Sequence, residues 1–83
     1  MKTIIFTTAA ARQLDALPAQ ARTELPEALA LYAVEGIGEV KRLSGRDGFR
    51  LRVGAYRVIF DEDGATILAV YVGRRATTTY KRN

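Results

Sequence analysis

Two short stretches of strictly alternating apolar and polar residues are the strongest local pattern in the sequence. Residues 49–53 (FRLRV) and 56–60 (YRVIF) alternate, and the intervening Gly-Ala pair at 54–55 suits a two-residue hairpin turn. The pattern predicts an antiparallel β-hairpin whose register places Arg52 directly opposite Arg57.

Apolar residues at helical spacing in the first half of the chain predict two helices that form a hairpin. Thr7 or Thr8 can cap the first helix, which should cover residues 9–17. The second stretch covers residues 19–35. Pro26 interrupts it, and an interior proline removes a helical hydrogen bond, so a kink or a division into two short helices is expected.

The remaining segments complete an α+β fold. Residues 3–7 (TIIFT) predict an N-terminal strand, and residues 39–48 (EVKRLSGRDG) are expected to form a basic loop. Residues 65–73 (ATILAVYVG) predict a last strand that is apolar on both faces and therefore lies inside the sheet. We expect one domain over residues 1–83, with an N-terminal strand, a helical hairpin and a three-stranded antiparallel meander in one sheet, and the helices on one face.

Side-chain alternation sorts the hairpin residues into two faces. The apolar face, which the helices should cover, carries Phe49, Leu51, Val53, Tyr56, Val58 and Phe60. The opposite face carries Arg50, Arg52 and Arg57, and we call it the arginine face. A turn at Asp63-Gly64 adds Leu68, Val70 and Val72 to this face, with Val70 opposite Arg57. A four-residue loop would leave these three side chains on the arginine face, and a three-residue loop would move them to the opposite face.

Composition excludes several kinds of chemistry. The 83-residue chain contains no cysteine and no histidine, which excludes disulfides, a cysteine nucleophile, a Cys/His zinc site and imidazole acid–base catalysis. The longest apolar run, residues 65–72, is far short of the roughly 20 residues that a membrane span needs. The N-terminus lacks the continuous apolar core of a signal peptide, so neither secretion nor membrane attachment is expected.

The basic residues are concentrated in the second half of the chain. Residues 1–40 hold three basic and five acidic residues, a net −2, whereas residues 41–83 hold ten basic and four acidic residues, a net +6. Ten of the 13 basic residues are arginines, which suit two-pronged binding of phosphate. Placing the like charges of Arg52 and Arg57 directly opposite each other lowers the stability of the sheet. Such local departures from stability are typical of functional sites. These features favour a polyanionic partner over a merely solvated surface.

Residues 40–60 (VKRLSGRDGFRLRVGAYRVIF) and 70–75 (VYVGRR), preceded by a strand and a helical hairpin, carry a family resemblance. The chain resembles the RelE/ParE superfamily of bacterial type II toxins. The RelE branch implies a cytoplasmic bacterial or archaeal protein that cleaves mRNA in the ribosomal A site. In that reaction the 2′-OH attacks the neighbouring phosphate, and neither a metal nor another cofactor takes part.

The resemblance also implies roles for individual residues. The positions that match the catalytic set of the RelE branch are Arg50, Arg52, Arg57, Arg75 and Tyr80. The other basic positions expected to bind RNA or phosphate are Lys41, Arg42, Arg46, Arg74, Lys81 and Arg82. Arginine is a poor general base because its pKa exceeds about 12. The base is therefore left open between Tyr80, a ribosomal group and charge stabilisation alone.

Partners and alternative functions follow from the same resemblance. The family implies a small, acidic cognate antitoxin, usually with a DNA-binding domain, which covers the basic site or displaces the C-terminal segment of the toxin. The ParE branch shares the fold but inhibits DNA gyrase. A non-catalytic nucleic-acid-binding protein and a degenerate toxin retained for complex formation are further alternatives.

Overall fold

The computed structural model describes residues 2–75, which form two helices and one five-stranded sheet. In chain order the elements are β1 (Thr3–Phe6), α1 (Thr8–Asp15), α2 (Ala19–Glu35), β2 (Glu39–Arg42), β3 (Phe49–Val53), β4 (Tyr56–Glu62) and β5 (Thr66–Arg74). The strand order across the sheet is β1-β5-β4-β3-β2. β1 pairs in parallel with β5, and the other neighbours are antiparallel. The predicted α+β class is confirmed.

The sheet contains one strand that the sequence did not predict. Residues 39–48 were expected to be a loop, but Glu39–Arg42 forms β2 and pairs with β3, with Glu39 opposite Arg52 and Val40 opposite Leu51. Three of its four residues are exposed, so it lacks the apolar alternation by which strands are recognised. Its charged side chains instead protect an edge strand from pairing with other chains.

The two helices form largely as their sequences predict. Thr7 caps α1, because its hydroxyl accepts a hydrogen bond from the Ala10 amide at 3.1 Å. α2 runs through Pro26 as one element, so of the two alternatives predicted, a kink or a division into two short helices, the division is wrong. Leu25 and Leu29 flank the proline and are fully buried. Packing of this face against the sheet therefore outweighs the single hydrogen bond that proline removes.

A single apolar core fills the space between the helices and one face of the sheet. Its buried members are Ala10, Ala21, Leu25, Leu29, Leu51, Val58, Phe60, Ile67, Ala69 and Val72. The core is thus built from both helices and the three inner strands β3, β4 and β5. The opposite face of the sheet, which carries the arginines, is left uncovered by the helices.

The β3–β4 hairpin has the predicted register throughout. Val53 pairs with Tyr56 and Arg52 pairs with Arg57. Gly54 has φ +58°, as the two-residue turns that match strand twist require of their first central residue. The three hairpin arginines therefore project from the same face, as expected.

The pairing of β4 with β5 differs from the prediction because the connecting loop is longer than the predicted two-residue turn and because β5 contains a β-bulge. Glu62 pairs with Ile67, so the loop has four residues, but the register shifts by one residue at Ile59/Phe60. Gly73, and not Val70, consequently lies opposite Arg57, and Val72 lies on the core face opposite Val58. The predicted position of Leu68, on the arginine face, is correct.

Candidate functional site

Four arginines line one depression of about 140 Å³ on the arginine face. Arg50 and Arg52 come from β3, Arg57 comes from β4, and Arg75 follows the end of β5. Three of them were placed together by hairpin geometry, and Arg75 joins them because β5 runs antiparallel beside β4. The structure thus brings together the four catalytic candidates that fall within residues 2–75.

Backbone contacts hold Arg75 against the turn of the β3–β4 hairpin. Its guanidinium Nη1 donates a hydrogen bond to the Gly54 carbonyl at 3.0 Å, and its amide donates to the Ala55 carbonyl at 2.9 Å. A residue just beyond the last strand is therefore fixed at the mouth of the depression. Several donors of the guanidinium remain for a ligand, since arginine carries five.

Arg52 is engaged by a carboxylate. Its Nη2 lies 3.0 Å and its Nε 3.3 Å from the two carboxylate oxygens of Glu39, its partner across the β2–β3 pair. The Glu39 side chain is 60% exposed, and surface ion pairs of this kind stabilise by only about 0–1 kcal/mol. A phosphate ligand can therefore displace this carboxylate at little cost.

Arg57 is half-buried, and part of its guanidinium group is enclosed. Its Nε is buried, and within residues 2–75 it has no hydrogen-bond partner. Neither Arg57 nor Arg50 forms an ion pair with a carboxylate of that part of the chain. A buried donor without a partner is costly, and such orphaned groups are suited to meeting an anionic ligand.

Tyr71 is a member of this face that the sequence did not reveal. Its ring centroid lies 5.7 Å from the guanidinium carbon of Arg57, within the range of a cation–π contact. A Cβ on Gly73 would lie only 2.3 Å from the Tyr71 hydroxyl oxygen, so the ring leans across Gly73. An isolated glycine inside a strand is the one sequence signal of such a close approach.

The other predicted phosphate-binding residues divide between the two faces of the sheet. Lys41 adjoins Arg50 and Arg52 on the arginine face, and Arg46 lies beside Arg57. Arg42 and Arg74 instead stack at 5.3 Å over Phe49 and Tyr56, whose rings pack against the core. Tyr80, Lys81 and Arg82 lie outside the described residues. RNA binding by all of these positions remains a prediction.

A second, wider groove continues the depression along the arginine face. It encloses about 530 Å³ and is lined by Arg46, Arg57, Ile59, Val70 and Tyr71. Arg57 therefore belongs to both spaces. The first is lined by arginines and the second is partly apolar, so together they offer a surface for a phosphate group beside a surface for an apolar or aromatic group.

The titratable groups with shifted pKa lie at the opposite end of β4. Burial, a hydrogen bond to Glu62 and the Glu62 charge raise the pKa of Tyr32 to about 12. Burial alone would raise the pKa of Glu62, but hydrogen bonds from Lys2 and Tyr32 outweigh it and lower that pKa. These groups serve the fold and do not line the depression.

Residues 2–75 contain neither a cluster of metal-ligating side chains nor a membrane-spanning helix. No group of three or more acidic side chains in this part of the chain is arranged to hold a metal ion. None of its helices is long and apolar enough to cross a membrane. The chemistry available in the depression is the binding of an anion and the stabilisation of added negative charge by four guanidinium groups.

No family model and no curated protein matches the sequence, but solved structures do match. A chain of the RelE–RelB complex from Pyrococcus horikoshii OT3 superposes with a TM-score of 0.78 at 21% identity, over 93% of this chain and 98% of that one. A chain of the toxin–antitoxin complex RelBE2 from Mycobacterium tuberculosis superposes with a TM-score of 0.62 at 26% identity, over 89% of this chain and 98% of that one. A chain of the intact RelBE complex from E. coli superposes with a TM-score of 0.69 at 17% identity, over 90% of this chain and 98% of that one. The chain has the RelE fold, which confirms the resemblance to the RelE/ParE superfamily.

Proposed function

We propose that this protein is the toxin of a type II toxin–antitoxin system and cleaves mRNA on the ribosome without a metal ion. The observation that carries the proposal is the depression in which Arg50, Arg52, Arg57 and Arg75 converge. The RelE fold supplies the context, since chains of toxin–antitoxin complexes share it over nearly their whole length.

In the proposed reaction the 2′-OH of one nucleotide attacks the adjacent phosphorus and the bond to the 5′-oxygen of the next nucleotide breaks. The products are a cyclic phosphate and a free 5′-OH, with the proton of the 2′-OH passing to a base and a proton reaching the leaving oxygen. The phosphorane carries more negative charge than the ground state. Preorganised guanidinium groups such as those of Arg57 and Arg75 bind this charge preferentially, and one such donor is worth on the order of 10²–10³ in rate.

Among the described residues, the depression lacks a group suited to taking up the proton of the 2′-OH. No described residue lining it has a carboxylate or imidazole poised to remove a proton; the carboxylate of Glu39 is held by Arg52. We propose that mRNA positioned in the A site reaches the arginine face and that Tyr80 or a ribosomal group provides proton transfer. A cognate antitoxin that is acidic where it meets the arginine face would neutralise the same guanidinium groups.

Controlled expression in bacteria tests the proposal through mapping of mRNA ends by primer extension. Arg57→Ala and Arg75→Ala should each abolish codon-linked ends and growth arrest while the circular dichroism spectrum stays unchanged. Arg12→Ala is the matched control, because it removes the same charge from an exposed position on α1. In a purified translation system the cuts should require ribosomes.

Other outcomes would assign a different function. Intact mRNA together with blocked supercoiling in a purified gyrase assay would contradict the nuclease and favour a ParE-type inhibitor. RNA binding without cleavage or growth arrest would favour a non-catalytic or degenerate protein. Cleavage that persists in both arginine variants would overturn the site while leaving the fold assignment intact.

A further inference from the structure

The ring of Tyr71 reaches the arginine face only because β5 is bulged. In the unshifted register near the β4–β5 loop, Phe60 pairs with Ala69, and continuing that register would place Tyr71 opposite Val58 on the core face. The bulge instead pairs Tyr71 with Ile59. Bulges characteristically redirect a side chain beside a functional site. The one-residue shift thus moves an aromatic ring from the core side to the site.

Close packing then fixes where this ring lies. The ring leans over Gly73, where a Cβ would meet the Tyr71 hydroxyl oxygen at 2.3 Å and the adjacent ring carbon at 2.7 Å. Gly73 pairs directly with Arg57 across the β4–β5 ladder. The glycine therefore opens the space that allows the ring to lie alongside the arginine of the neighbouring strand.

The other residues around Arg57 within residues 2–75 provide neither a hydrogen-bond acceptor for its Nε nor an opposite charge. Its cross-strand partner on β3 is Arg52, a like charge. Its buried Nε has no hydrogen-bond acceptor within residues 2–75, and no carboxylate there pairs with it. Among residues 2–75, the attractive contact that remains is the Tyr71 ring, 5.7 Å from the guanidinium carbon.

We infer that Tyr71 is a positioning residue, whose aromatic ring holds the Arg57 guanidinium at the edge of the phosphate depression. The role belongs to the ring face and not to the hydroxyl, since the ring face is what attracts a cation. It rests on the proposed function only in that Arg57 must be placed for the reaction. The contact between the two side chains can be measured by itself.

Kinetics of two substitutions separate the ring from the hydroxyl. Tyr71→Leu should lower kcat on ribosome-bound mRNA by on the order of 10²-fold, the cost of a small misplacement of a catalytic group, while KM changes little. Tyr71→Phe keeps the ring and should retain near-normal kcat. Tyr56→Leu is the matched control, since it removes a ring beneath Arg74 on the other face of the sheet.

Nuclear magnetic resonance of the arginine Nε–Hε groups tests the contact without catalysis. The Arg57 signal, assigned by its loss in Arg57→Lys, should exchange slowly with water in the wild type and in Tyr71→Phe, and rapidly in Tyr71→Leu. A folded Tyr71→Leu protein with an unchanged Arg57 signal would overturn the inference. Equal loss of kcat in Tyr71→Phe and Tyr71→Leu would also overturn it, by assigning the hydroxyl to the substrate. If the protein cleaves no RNA, the resonance result still decides the contact.

Discussion

Two nitrogens of the Arg52 guanidinium donate hydrogen bonds to the Glu39 carboxylate, at 3.0 Å and 3.3 Å, between the paired strands β2 and β3. The same guanidinium lines the arginine depression. Glu39 therefore forms an ion pair with a guanidinium group to which a phosphate ligand would also bind. The sequence predicts a loop where this edge strand lies, so the Glu39–Arg52 pair could not be predicted from it.

Glu39→Gln should increase affinity for a single-stranded RNA oligonucleotide by roughly two- to fivefold at low salt, because it frees Arg52 and removes a negative charge beside the site. Fluorescence anisotropy measures the change. Glu27→Gln, at an exposed position on α2, removes the same charge at a distance. Equal affinities for the two variants would contradict the competition between Glu39 and phosphate.

Arg57→Leu should raise stability while it removes activity. The substitution relieves the repulsion between Arg52 and Arg57 and eliminates a buried donor that has no partner among residues 2–75. We expect an increase of about 1 kcal/mol in the free energy of unfolding, or roughly 4–8 °C in Tm for a domain of this size. Thermal unfolding followed by circular dichroism measures it, with Arg12→Leu as the control, and a lower Tm would show that Arg57 stabilises the fold.

Gly73→Ala should impair activity without unfolding the protein. The new methyl group would overlap the hydroxyl end of Tyr71, so the ring must move away from Arg57. We expect a loss in kcat similar to that of Tyr71→Leu, and little further loss when both substitutions are combined, because they disrupt one contact. Additive losses in the double variant would mean that Gly73 acts independently of Tyr71.

Tyr32 should make stability depend on pH in the alkaline range. Its pKa is raised from 10.0 to about 12 in the folded protein, so its hydroxyl stabilises the fold fully below pH 10 and loses that contribution as pH rises through 12. The difference in unfolding free energy between wild type and Tyr32→Phe should therefore shrink over this interval. Urea unfolding at a series of pH values measures it, and a constant difference would contradict the hydrogen bond to Glu62.

Glu62 should act in the opposite direction, at acidic pH. Its pKa is lowered in the fold by the hydrogen bonds from Lys2 and Tyr32, which overcome the effect of burial. Its contribution is present above the ordinary carboxyl pKa of about 4.3 and disappears as pH falls through the lowered value. Glu62→Gln should be less stable than wild type near neutral pH, and the two should converge in acid. Chemical unfolding at both pH extremes tests this.

The hairpin that carries the site was fully predictable because two independent signals agreed. Strict alternation fixed the faces of Arg50, Arg52 and Arg57, and the Gly54 turn fixed the register of the strands. A shift of one residue would have exposed every apolar side chain. Where burial and turn chemistry both specify one pairing, the sequence determines it.

The remaining site features depend on packing that local patterns do not encode. Val70 and Tyr71 are both apolar enough to satisfy alternation in either register, so the alternation pattern of β5 did not predict the bulge. Pro26 left open whether α2 would be kinked or divided, and burial of the neighbouring leucines favoured one continuous helix. In each case contacts between elements overrode a preference within one element.

The strand that completes the depression is also the last strand of the described chain to be synthesised. β5 lies between β1 and β4, supplies Tyr71 and Gly73, and leads directly into Arg75. Its parallel pairing with β1 joins residues from opposite ends of the sequence, and such non-local pairing forms late in folding. A nascent chain therefore carries its hairpin arginines in an unfinished sheet. The complete cluster of four arginines therefore exists only once β5 has joined the sheet.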